Sequence, residues 1–154
     1  MKHIKNISKN QYQVFLIICI LLLQSCAVRL ISDYDNITDK TVTELQEKVS
    51  NYFVKIERAI ESEEAKYENF IKQFDEIKVD LNTLEVRAAA IDKNRIIQQQ
   101  VKELQKMFKN LESLHKLGFN DYEQIRPLKA SFNSAFTAII KLQLALKRGE
   151  NQNN

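Results

Sequence analysis

Apolar residues recur along most of this chain at intervals of three and four, the spacing that gathers side chains on one face of an α-helix. The first such stripe runs through Val42, Leu45, Val49, Tyr52, Phe53, Ile56 and Ile60. Its helix is predicted to start near Thr38 or Asp39, and Thr41 with Glu44 has the spacing of a capping box. The same phase continues through Tyr67, Phe70, Phe74, Ile77, Leu81, Leu84, Ala88 and Ile91. A single helix over 39–91 would be about 80 Å long, an unusual element for a small domain. The run Glu61-Ser62-Glu63-Glu64 offers a break, since Ser62 can cap a new helix and the acids suit its first turn. A second helix is therefore predicted over about 64–91, closed by the polar cluster Asp92-Lys93-Asn94.

The third stripe is Ile97, Val101, Leu104, Phe108, Leu111, Leu114 and Leu117. Gly118 can end that helix in a left-handed conformation, with Phe119 folding back. Asn120 and Glu123 suggest a fresh cap and a short turn, and Pro127 suits the start of the last helix. Leu128, Phe132, Ala135, Ile139, Leu142 and Leu146 form the last stripe, widened by Phe136, Ile140 and Leu144. Such breadth predicts a helix at the centre of the packing, ended by Gly149, with 150–154 fraying. Four helices joined by short turns predict an all-α fold, an antiparallel helical bundle over 39–149. The alternative is an elongated coiled-coil hairpin built on an uninterrupted 39–91 helix.

The N-terminus has a different pattern. Lys2, Lys5 and Lys9 precede ten apolar residues, Val14 to Leu23, which are followed by Gln24-Ser25-Cys26. Basic start, short apolar centre and small residue before a cut are the three parts of a secretory signal. Ten helical residues span about 15 Å, half of a ~30 Å hydrocarbon layer, so a permanent span is the weaker reading. Leu23-Gln24-Ser25-Cys26 resembles the bacterial lipobox. That resemblance implies cleavage between Ser25 and Cys26, a signal peptide over 1–25, and acyl chains on Cys26, palmitate among them. Two or three chains hold a protein firmly where one is marginal. Ala27, in place of the Asp that retains such proteins at the inner membrane, implies the outer membrane, facing the periplasm. Residues 27–38 would form a short tether without the Ser/Gly/Pro richness of a long linker.

Composition strengthens the helical reading. The chain of 154 residues has two glycines, one proline and no tryptophan, too few turn formers for an all-β fold. The net charge of +3 arises from Lys2, Lys5 and Lys9, so the chain from Cys26 onward is formally neutral. A neutral exported domain is a poor nucleic-acid binder. Charge is nevertheless unevenly placed. Residues 92–119 hold six basic and three acidic side chains, whereas 40–91 hold eight and eleven. Arg95, Lys102, Lys109 and Lys116 recur every seven residues with Lys106 beside them, a basic ridge on the third helix. Two readings stand: a solvated face, or an interaction surface for anionic headgroups or an acidic partner.

Catalytic constellations are scarce. After the signal, His115 is the one histidine, and with Glu112 it makes a Glu-x-x-His pair. Carboxylate-bridged di-iron bundles need two such pairs, so no metal or other cofactor is expected, and His115 is predicted to be a surface residue capping the third helix. No Gly-x-Ser-x-Gly elbow or phosphate-cradling loop occurs. The acids at 61, 63 and 64 suit a solvated helix start. No enzyme is expected.

Several stretches resemble a group of small, uncharacterised proteobacterial lipoproteins: Thr38-Asp39-Lys40, Thr43-Glu44-Leu45-Gln46, Val79-Asp80-Leu81, Val86-Arg87-Ala88, Phe132-Asn133, Phe136-Thr137-Ala138-Ile139 and Lys147-Arg148-Gly149. The resemblance supports the lipobox and the bundle and implies no active site. The expectation is a lipoprotein with a helical interaction or scaffolding domain that meets the membrane through Cys26 and an envelope protein through the bundle. The alternative is an exclusion or immunity factor that blocks an incoming protein or phage component.

Overall fold

The computed structural model describes residue 13 and residues 31–151, and the helical body begins at Ile31. Ser25, Cys26 and the apolar run before them lie outside the described residues. Four α-helices make up the body: α1 (Asn36–Ala59), α2 (Ile71–Ala90), α3 (Arg95–Leu117) and α4 (Tyr122–Asn151). α1 packs on α2, α2 on α3, α3 on α4, and α4 closes the ring on α1. Cross-helix pairs give the directions. From the start of α1 inward, Asp35 meets Arg87, Lys48 meets Asp80 and Tyr52 meets Phe74, so α2 runs back along α1. Glu85 meets Gln105 and Lys78 meets Glu112 in the same inverted order, as do Phe53 with Phe132 and Tyr34 with Lys147. The fold is all-α, an antiparallel four-helix bundle, and it excludes the coiled-coil hairpin.

Hydrophobic burial explains the arrangement. Val42, Leu45, Tyr52, Phe53, Ile56, Phe74, Ile77, Leu84, Val101, Leu111 and Ile125 are among the side chains almost wholly removed from water. Each contributes about 1.5–3 kcal/mol relative to remaining exposed. No helix among the described residues is long and apolar enough to cross a membrane.

Several boundaries differ from the pattern-based expectations. α1 starts at Asn36 because Asp35, not Thr38, is its cap: Asp35 accepts from the Thr38 N–H at 2.9 Å. The break after α1 is longer than the sequence suggested. Glu61 takes a left-handed backbone (φ 69°), and Ser62 accepts from the Glu64 N–H as cap of a 3-10 turn, Glu63–Ala65. A second 3-10 turn, Tyr67–Phe70, follows before α2 begins at Ile71. α4 starts at Tyr122 instead of Pro127, because Asp121 accepts from the Gln124 N–H at 3.0 Å. Pro127 lies inside α4, near enough to its start that the missing N–H disturbs only the first turns. The helix passes through Gly149 to Asn151. α4 is one side of the bundle and not its centre, since Leu144 is 46% exposed and Gln143 occupies the core position.

Candidate functional site

Two features of α3 stand out, one on each side of the helix. The inner one starts from its packing stripe. Ile97, Val101, Leu104, Phe108 and Leu111 are spaced four, three, four and three, which holds the average near 3.6; the next step of four lands on His115. Leu114 and Leu117, expected in the stripe, fall off it and are 40% and 84% exposed. His115 is 1% exposed, which corrects the expectation of a surface cap.

The hydrogen bonds define the tautomer of that ring. Its Nε2 lies 2.7 Å from the Ala65 carbonyl oxygen, which only accepts, so Nε2 carries the hydrogen and donates. With the ring neutral, Nδ1 has a lone pair and accepts from the Tyr52 hydroxyl at 3.0 Å. Five aromatic rings, those of Tyr52, Tyr67, Phe70, Phe74 and Phe119, surround the imidazole at 4.8–5.8 Å. Burial pushes its pKa below the ordinary histidine value, against the opposing effect of the Ala65 carbonyl. Burial also pushes the Tyr52 phenol up. A neutral histidine therefore pins the 61–69 connection to α3 through Ala65 and to α1 through Tyr52.

One helical turn earlier, Glu112 collects three donors on one carboxylate oxygen: Tyr67 Oη at 2.6 Å, Lys78 Nζ at 2.8 Å and Lys116 Nζ at 3.2 Å. Burial works against its charge, yet the hydrogen bonds from Lys78, Tyr67 and Lys116 outweigh it and hold the carboxyl at about 2. Lys116 also lies 4.8 Å over the Tyr67 ring. The Glu112/His115 pair is thus brought together as an inner-side clamp, with both imidazole nitrogens engaged. Among the described residues no group of three metal-ligating side chains converges. An open cleft of about 690 Å³ lies beside the clamp, lined by Ser62, Lys66, Tyr67, His115, Lys116 and Phe119.

The outer feature is the basic ridge. Arg95, Lys102, Lys106 and Lys109 are all exposed on the side of α3 opposite its buried stripe. No carboxylate among the described residues lies within 4 Å of any of them, whereas Arg87, Lys48 and Lys129 pair with Asp35, Asp80 and Glu57. Lys116 departs from the predicted ridge, drawn toward Glu112 and Tyr67. The asymmetry extends to the whole bundle. Residues 31–91 carry eight basic and fourteen acidic side chains, and residues 92–151 carry eleven and six. The α1–α2 half is thus acidic and the α3–α4 half basic.

No family model matches the chain, and no match was found among curated proteins or among solved structures.

Proposed function

We propose that this protein is a bacterial envelope lipoprotein, cleaved between Ser25 and Cys26, acylated on Cys26 and held at the outer membrane facing the periplasm. Its bundle serves as an interaction module that docks an acidic protein surface along α3, with no catalytic role. The lipobox-like Leu23-Gln24-Ser25-Cys26 supports the anchor. The observation that carries the docking reading is the line of cations at Arg95, Lys102, Lys106 and Lys109, with no carboxylate of the described residues within 4 Å, which extends over about 21 Å of helix. Long cations that need no intramolecular partner keep their charge available for a complementary surface, where it speeds encounter and fixes register. Paired cations elsewhere on the bundle lack that freedom.

Two measurements test the reading. Labelled palmitate should enter the native protein and not the Cys26→Ser variant; equal labelling of both would reject the anchor. A photo-crosslinker at Gln99, beside the ridge, should capture a discrete acidic partner in cells. Charge reversal at Lys102, Lys106 and Lys109 should cut the yield about tenfold, equivalent to about 1.4 kcal/mol. Undiminished capture by the reversed protein rejects the ridge.

A further inference from the structure

The segment that leads into α1 is fastened to the bundle. Ser32 is buried and donates to Asn94 Oδ1 at 3.1 Å. Tyr34 donates to Asp39 at 2.8 Å, and its ring lies under Lys147 of α4 at 5.4 Å. Asp35 receives both Nε and Nη2 of Arg87 at 2.7 and 2.6 Å. The expected 27–38 tether is therefore held to the bundle from Ser32 onward. Four residues lie between Cys26 and Ile31, and the five Cα–Cα steps reach at most about 18 Å.

That reach distinguishes the two ends of the bundle. The end formed by residues 31–37, the 91–94 turn and the last turns of α4 is the one at which the described chain begins. The opposite end, at Leu117, is about 35 Å away along α3, beyond the tether. The near end also has a surface suited to a bilayer interface. Ile31, Ile37 and Ile96 are 46%, 49% and 44% exposed. Ile31 and Ile96 share a shallow depression with Lys93, Leu142 and Leu146. Lys93 stands at the tip of the α2–α3 turn in a left-handed backbone (φ 59°) and is exposed, as are Arg95, Lys147 and Arg148. Asp33, Asp92 and Glu150 lie among these cations, so net charge there is small and the apolar side chains are the principal contact. Lysine and arginine stems suit such a boundary because they bury methylenes and keep the charge in water.

We infer that the Ile31/Ile37/Ile96 end of the bundle rests on the phospholipid interface, so that the bundle stands end-on and the α3 ridge points sideways into the surrounding space. This inference rests on the acylation of Cys26 and adds to it an orientation and a second membrane contact.

The test uses the full-length protein, extracted after processing in a bacterium and placed in phosphatidylethanolamine/phosphatidylglycerol vesicles. Single cysteines at Ile96→Cys and Ser113→Cys, both exposed positions of α3, carry an environment-sensitive fluorophore. The probe at 96 should shift to shorter wavelength and lose intensity to quenchers in the lipid, while the probe at 113 should do neither. Equal quenching at 96 and 113 means a bundle lying along α3 and overturns the end-on orientation. A water-like probe at 96 overturns it as well. The mass of the Cys26 peptide from the same sample separates the two ideas. Acylated Cys26 with a water-like 96 sinks the orientation alone, and unmodified Cys26 sinks the anchor and the orientation with it.

Discussion

On the inner side of α3, Glu112 and His115 are shielded from water and bonded to neighbours: one carboxylate oxygen to Tyr67, Lys78 and Lys116, both ring nitrogens to Tyr52 and Ala65. On the outer side of the same helix, Lys102, Lys106 and Lys109 stand in solvent, with no carboxylate of the described residues within 4 Å. The difference separates two uses of polarity. Buried polar groups must be satisfied inside the fold, and once satisfied they specify which elements meet. Exposed cations add little to folding whether paired or not, so selection is free to use them on another molecule.

Substitutions can break this comparison, beginning with the largest effect. His115→Leu leaves the buried Tyr52 hydroxyl and the Ala65 carbonyl without partners and should lower stability by about 2–4 kcal/mol. Urea denaturation of the two proteins measures it, and an unchanged midpoint would mean that the inner clamp carries no stability. Glu112→Gln keeps the shape but loses the charge that Lys78 and Lys116 meet. Because both lysines are about half exposed, the loss should be smaller, about 1–2 kcal/mol, and Lys116 should swing outward.

Acidification sharpens the distinction. His115 has a folded pKa below the ordinary 6.5, so the unfolded chain binds its proton more readily. Its contribution is complete above pH 6.5 and falls away as pH drops from there toward the folded value. Glu112, held at about 2 against an ordinary 4.5, contributes fully above pH 4.5 and is lost as pH drops through the range below it. Asp35, held well below the carboxylate range first by its hydrogen bonds with Arg87, acts in the same sense. Melting temperature should therefore fall in two stages from pH 8 to 3. His115→Gln, which keeps one donor and one acceptor, should erase the upper stage and leave the lower one. A single stage in the native protein would refute the neutral-histidine clamp. The smallest effect belongs to the outer side: reversing Lys102, Lys106 and Lys109 to Glu should leave stability within about 0.5 kcal/mol, as exposed sites generally do. A large loss in the same urea assay would show that the ridge belongs to the fold.

Much of the bundle was legible in advance, because burial of an apolar stripe is a local pattern repeated many times. Every residue of the α1 stripe from Val42 to Ile56 is buried, and Gly118 terminates α3 with a left-handed φ of 89°. The errors have specific causes. At the end of α3, leucines at 114 and 117 outweighed helical phase, although continuing the four-three alternation from Ile97 leads to 115. Tyr52 offered a second signal, since a tyrosine on a core stripe must find a hydroxyl partner. At the start of α4, Pro127 outweighed the Asp121/Gln124 pair that actually caps the helix.

Period, composition and turn residues were enough to determine four helices and their inward faces, because each of these is encoded by neighbours a few positions apart. Which polar residues would be buried was decided only in three dimensions. Tyr52, Ala65, Tyr67 and Lys78 reach Glu112 and His115 from 34 to 63 positions away, and no local spacing records such a meeting. The pinning of residues 32–35 has the same origin, since Arg87 and Asn94 come from the far side of the chain's first turn-around and their grip depends on the helices having already packed.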